Sequence, residues 1–376
     1  MFTRSLPILF LAMTLTHASV LAEDWPLFRG DALQTGVSKS PLPEELEIRW
    51  KFKAKDGIEG AAAIVNGVVY VGSLDEHLYA LDLATGQPKW TYQTDAAKGT
   101  KVGPIRASPS VRDGLIYVGD ADGIFHCVEA TTGNKRWTFD TGAEITSSAN
   151  FAGDTVLFGS SDENLYCLSK DGKERWKFRV PGGPVMGTPA IVEGRTFAAG
   201  CDSTLHVLDV AKGTEAAGTV DLGGQVGATV GVIGDQLYIG TMSGEVLAIK
   251  WKKGEVLWRF EAPRTKQPFY ASAAVTDNLV IVGSRDKHVY ALHRKSGKEA
   301  WSFATKKKVD SSPVVAGSRV YVGSSDGNLY VLDLARGSEV KQFALGKDIA
   351  ASPAVGGNCL VIGTMEGTVC CIGAKN

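Results

Sequence analysis

Net charge is nearly absent from this chain. Its 40 Lys and Arg offset 41 Asp and Glu, leaving −1 at neutral pH. Nothing in that balance draws the protein to nucleic acid or to an anionic membrane surface. Long apolar runs are also missing. The longest stretch, Leu6 to Leu15, follows Arg4 and falls short of the roughly 20 residues that cross a bilayer. Val20-Leu21-Ala22 then offers small residues to a signal peptidase, so residues 1–22 are expected to be a cleavable signal peptide. No cysteine follows the apolar stretch to carry a lipid. The expectation is a periplasmic or secreted protein, not a lipoprotein, with no membrane insertion after cleavage.

Common catalytic signatures are missing too. The chain has no G-x-S-x-G, no P-loop and no paired zinc motif. Asp120-Ala121-Asp122-Gly123 opens like a calcium loop, but position twelve is Thr131 instead of the required Glu. The six histidines do not converge, and no metal site is expected. Six cysteines could form disulfides in an exported protein. However, Cys127, Cys167 and Cys371 share one position of a repeat where Ala80 and Ala291 stand in other copies, which reads as a small buried core position.

That repeat is the dominant positive feature. Gly72, Gly119, Gly159, Gly200, Gly240, Gly283, Gly323 and Gly363 recur at intervals of 40 to 47 residues. Around each, apolar residues alternate as in strands, with hairpin signals such as Asn66-Gly67 and Asp113-Gly114. A period near 40 predicts an all-β, eight-bladed β-propeller of four-stranded antiparallel blades. The eighth copy ends too early to supply an outer strand, and Ile48-Arg49-Trp50-Lys51-Phe52 precedes the first copy as an orphan one. Pairing this N-terminal strand with the last blade would close the ring and remove its exposed edges. The expected organisation is signal peptide 1–22, lead-in 23–45 wrapping the propeller rim, and propeller 46–376. A shared turn position, Asp75, Asp122, Asp162, Asp286 and Asp326, is expected to cap its own backbone.

Ala80-x-Asp82-x-x-Thr85-Gly86-x-x-x-Trp90, with versions ending in Trp137, Trp176, Trp258 and Trp301, resembles the tryptophan-docking motif of pyrroloquinoline-quinone (PQQ)-type propeller repeats. The resemblance implies that these tryptophans, with Trp50, pack between blades. Ala217 and Lys341 stand in the tryptophan place of the fourth and seventh copies. Asp24-Trp25-Pro26-Leu27-Phe28-Arg29-Gly30-Asp31 also resembles the lead-in of quinoprotein dehydrogenases. Two branches of this superfamily offer different functions. Quinoprotein dehydrogenases bind PQQ and calcium on the propeller axis, whereas BamB-like propellers are cofactor-free and bind proteins.

One inward position varies from copy to copy: Glu59, Arg106, Thr146, Met186, Gly227, Tyr270, Asp310 and Ala350. Glu59, Arg106 and Thr146 resemble the Glu, Arg and Thr that contact PQQ in the first three blades of the dehydrogenases. The family's vicinal disulfide, catalytic Asp and calcium-ligand insertions have no counterparts at the matching places. The expectation is therefore a monomeric, non-catalytic scaffold without cofactor. It would bind an envelope or extracellular protein or peptide at an axial mouth of Glu59, Arg106, Tyr270 and Asp310. The alternative is a PQQ-dependent dehydrogenase holding PQQ and calcium at Glu59, Arg106 and Thr146.

Overall fold

A computed structural model describes residues 23–94 and 103–375. The signal peptide expected over 1–22 lies outside the described residues. Eight sheets form eight blades. Blade 1 runs from the axis outward as Ala63–Val65, Val68–Gly72, His77–Asp82 and Pro88–Gln93. Blades 2 to 7 repeat this antiparallel order over 110–140, 150–179, 191–221, 231–261, 274–304 and 314–344. In blade 8, Leu46–Lys53 supplies the outer strand, pairing antiparallel with Thr368–Ala374 from Leu46↔Ala374 to Lys53↔Thr368. The two ends of the propeller chain thus share one sheet, and opening the ring requires breaking that ladder.

The recurring glycines are sockets between blades. A Cβ on Gly72 would lie 2.2 Å from Ile105 Cγ2, and one on Gly119 would lie 2.2 Å from Ile145 Cγ2. The same clash closes the ring between Gly363 and Ile58. In seven blades the glycine admits the apolar residue that opens the next blade; Gly200 of blade 4 is the exception. Close-packed interiors leave no slack for an added methyl there.

The tryptophans do the corresponding work at the outside. Trp50, Trp90, Trp137, Trp176, Trp258 and Trp301 each stack on a glycine in the next blade's outer turn, from Gly86 to Gly337. Each indole Nε1 donates to a carbonyl of that turn at 2.8–3.1 Å. A bulge beside the tryptophan position interrupts the outer ladder in all blades but the fourth, which re-aims the side chain. Blade 4 has Ala217 instead, and its outer strand is split into Thr214–Glu215 and Val220–Asp221. Trp251 of blade 5 fills that interface, 5.6 Å from Phe197 between ring centroids. Lys341 faces blade 8, which has no outer hairpin, and its ammonium bonds the Leu46 carbonyl at 2.5 Å.

The lead-in does not wrap the rim. It crosses one end of the axis and bonds the inner strands. Backbone hydrogen bonds join Trp25 to Ile64, Pro26 to Val111, Ala32 to Ile191, Leu33 to Val232, Thr35 to Val275 and Gly36 to Val315. Glu23 reaches Gly357 in blade 8, and Asn150 Nδ2 of blade 3 donates to the Ala32 carbonyl at 2.9 Å. Val37–Ser38 then adds a parallel strand to Val314–Ala316. The inner strands are only two or three residues long, and their axial edges carry backbone groups that need partners. The lead-in supplies them.

Candidate functional site: the axial funnel

Each inner strand is preceded by a short extended segment that places successive residues at different depths along the axis. The variable position forms the mouth. Two residues deeper lies a second ring: Ala61, Ser108, Ser148, Thr188, Thr229, Ser272, Ser312 and Ser352. Below it, at the lead-in end, stands Phe28. Together they enclose a cavity of about 270 Å³, open at one end and crossed by the lead-in at the other.

The second ring joins neighbouring blades. The Ala61 amide donates to Ser108 Oγ at 2.9 Å, Ser108 to Ser148 at 3.2 Å and Ser148 to Thr188 at 3.1 Å. Thr188 continues to Thr229 at 2.8 Å, Thr229 to Ser272 at 3.0 Å, Ser272 to Ser312 at 2.9 Å and Ser312 to Ser352 at 3.0 Å. Seven hydroxyls accept seven amides. The chain stops between blades 8 and 1, where Ala61 has no hydroxyl.

The mouth gathers most of the variable residues that sequence reasoning singled out, in two charged groups. On one side Arg106 bridges Glu59 at 2.7 Å and Glu144 at 3.1 Å. Across the funnel Arg285 grips Asp310 with two hydrogen bonds of 2.8 and 3.0 Å, and its guanidinium lies 3.9 Å from the Tyr270 ring centroid. Lys308 adds a third hydrogen bond to Asp310 at 2.6 Å. Burial alone would raise the Asp310 carboxyl, but the bonds from Arg285 and Lys308 outweigh it and hold it below its ordinary value. The Asp310 bonds in turn raise Arg285. Thr146 lines the same cavity. Glu144 and Arg285 were missed because they come from turns outside the variable position. Arg285 had a detectable signal, since it lies two residues after the register glycine where Leu74, Ala121 and Met242 stand in other copies.

Behind Phe28 sits Arg29, 1 % exposed, with its guanidinium 6.0 Å from the Phe28 ring centroid. Nη2 donates to the Pro313 carbonyl at 2.6 Å, while Nε and Nη1 have no hydrogen-bond partner among the described residues. Burial pulls this guanidinium down to about 9, partly opposed by Asp31.

One local expectation changes. The turn aspartates of four blades cap their own strands, with Tyr79, Tyr166, Tyr290 and Tyr330 donating to Asp75, Asp162, Asp286 and Asp326. In blade 2 that task falls to Asp120 and not Asp122. Asp120 accepts from the amides of Asp122 and Ile124 and pairs with buried His126. An Asp at this position replaces the Ser or Thr of most other blades, and its longer side chain reaches the strand first. All six cysteines are free thiols.

The site does not fit PQQ with calcium. The Arg106 guanidinium that a carboxylated quinone would require is already matched by Glu59 and Glu144. Among the described residues no group of three or more His, Cys, Asp or Glu is placed to hold a metal ion. The mouth's cations and anions are balanced, so a multiply charged anion would have to displace formed pairs.

A family model described as "Outer membrane protein assembly factor BamB" matches residues 44–138, 121–217 and 215–376. The chain belongs to the BamB family. The BamB of Nitrosomonas eutropha is 31% identical over 116 residues, which cover 31% of this chain and 27% of that protein. The match therefore spans about a quarter of the curated relative. Among solved structures, BamB from Moraxella catarrhalis superposes with a TM-score of 0.73 at 20% identity, covering 88% of this chain and 98% of that one. The quinohemoprotein alcohol dehydrogenase of Comamonas testosteroni gives 0.79 at 14% identity, covering 94% and 81%. At these identities the structural likeness establishes the propeller fold, and the two neighbours share it across different functions.

Proposed function

We propose that this BamB-family propeller is an exported, non-catalytic scaffold that binds a protein or peptide partner in the cell envelope, with the funnel mouth as its docking face. The observation that carries this reading is the asymmetry of the axis. The lead-in ties down one end with hydrogen bonds to the inner strands. The other end presents the residues that vary between blades, preset by Arg106 and Arg285 bridges. A rigid scaffold with one open, variable, polar end is suited to recognition. The relatives' naming as outer-membrane protein assembly factors makes envelope proteins undergoing assembly the candidate partner class.

Photocrosslinking in the native host tests this. A small aliphatic diazirine residue, too slim to fill the mouth, replaces Ala350 there, or Lys177 on an outer strand. A discrete adduct from position 350, identified as an envelope protein, supports the docking face. Adducts from 177 alone, or none where known envelope complexes are captured, would refute it. Full-length precursor found only in the cytoplasm would refute the exported location.

A further inference from the structure

The hydroxyl ring has a second chemical property. Each serine or threonine hydroxyl has one proton to donate and lone pairs to accept. In the funnel the lone pairs take the neighbouring amide, and among the described residues these seven hydroxyls have no recorded acceptor for their protons. Their side chains are more than nine-tenths buried yet line the cavity. Seven unspent O–H donors therefore converge on one axis. Beneath them, behind Phe28, lies the Arg29 guanidinium with two unpartnered nitrogens. At about 9 its proton stays on at neutral pH, so a buried positive charge lies against the Phe28 ring that lines the funnel, without a carboxylate hydrogen-bonded to it among the described residues.

We propose that the funnel is a seat for the free C-terminal carboxylate of a peptide chain. The inference rests on the reading of the mouth as the docking face and specifies what enters it. Convergent donors over a buried cation favour an anionic acceptor, because hydrogen bonds to a charged acceptor are roughly twice as strong as neutral ones. The lead-in closes the far end, so a chain cannot thread the axis; it must present a terminus or a side chain. The cavity is smaller than the roughly 300–1,000 Å³ of ordinary ligand pockets, which suits a chain end. A terminal carboxylate on the axis can meet donors from several blades at once. The flanking residues then leave through the mouth past Tyr270 and the Arg285–Asp310 bridge.

Calorimetric titration of the full mature protein tests this with three probes. They are the tetrapeptide Gly-Ala-Ser-Ala as free acid, the same peptide as C-terminal amide, and acetyl-Ala-Glu-Ala-amide, which offers only a side-chain carboxylate. The free acid is expected to bind at least tenfold more tightly than either capped peptide. Ala350→Trp, which fills the mouth without touching the ring, should abolish that binding, and Arg29→Met should weaken it. Equal binding of acid and amide overturns the carboxylate seat while leaving the docking face intact. Tighter binding of the glutamyl peptide assigns the seat to side chains and overturns the terminus. No heat with any probe at millimolar concentration overturns the proposal, leaving a water-filled ring. Free-acid binding that persists in a folded Ala350→Trp variant places the site elsewhere. Failure of the wider reading is separate: it shows as loss of the position-350 crosslink in cells.

Discussion

Replacing Thr229 by Val removes one hydroxyl from the axial ring and keeps a side chain of similar outline. Thr229 Oγ1 accepts the Thr188 amide at 2.8 Å, and both residues are 4 % exposed. The substitution leaves that amide without its acceptor in a place water reaches poorly. A buried donor deprived of its partner costs about 1–3 kcal/mol. Folding entropy near 2.1 cal/mol/K per residue converts each kcal/mol into about 1–2 °C for a domain of this length. Urea unfolding followed by tryptophan fluorescence is the better assay, since an unchanged slope with a lowered midpoint isolates stability. The ring also offers a gain. The Ser352 amide falls opposite Ala61, the one copy without a hydroxyl, so Ala61→Ser should add the eighth bond and stabilise by about 0.5–1.5 kcal/mol. Ala61→Val, which adds bulk without a hydroxyl, should not. If Thr229→Val is neutral, or Ser and Val at position 61 behave alike, the hydroxyls do not join the blades and the reasoning fails.

Trp258→Ala should cost about 3–5 kcal/mol by thermal or urea unfolding, because it empties the stack on Gly297 and removes the bond to the Arg294 carbonyl. The Asp310 carboxyl sits below its ordinary value in the folded state, so its contribution is complete above the unfolded carboxylate value of about 3.9 and is lost as pH falls through the folded one. Urea midpoints measured from pH 6 to 3 should therefore fall less steeply for Asp310→Asn than for the parent. For Arg29 the sign is the same, but the window is alkaline. Its folded value, about 9, lies below the ordinary 12.5, so the unfolded chain holds more protons between them and stability from this group rises with pH. The stability difference between parent and Arg29→Met should shift toward the parent from pH 8 to 10.5, and a constant difference would contradict the buried charge. Cys359 is lowered to about 7 by a hydrogen bond from Cys371, against its burial and with help from Arg49, whereas burial raises Cys127, Cys167 and Cys370. Iodoacetamide at neutral pH should alkylate Cys359 well before those three, as peptide mass mapping would show.

The eight-bladed ring was legible because each blade must solve the same packing problem at the same phase. Gly72 and its equivalents recur because each must admit a residue such as Ile105 from the next blade, and a repeated contact leaves a repeated letter. The closing strand was legible from the complementary defect, an outer strand missing at one end and spare at the other. The site was only half visible for the same physical reason. Its mouth shows up as the position where the repeat varies, but Arg285 and Glu144 arrive from turns in a different phase. The hydroxyl ring left a plain trace, Ser or Thr in seven of eight copies. Its meaning appears only when the toroid places residues 40 to 47 positions apart side by side. The lead-in has no repeat, so periodicity carried no information about it. Its course is dictated by the axial strand edges, which exist only after the blades have assembled. A function placed on that axis therefore depends on two contributions that a single repeat cannot encode: which blade supplies each mouth residue, and a non-repeated segment that closes one end. Exchanging whole blades should accordingly preserve the fold while reordering the mouth, and circular dichroism with the free-acid peptide titration would separate the two effects.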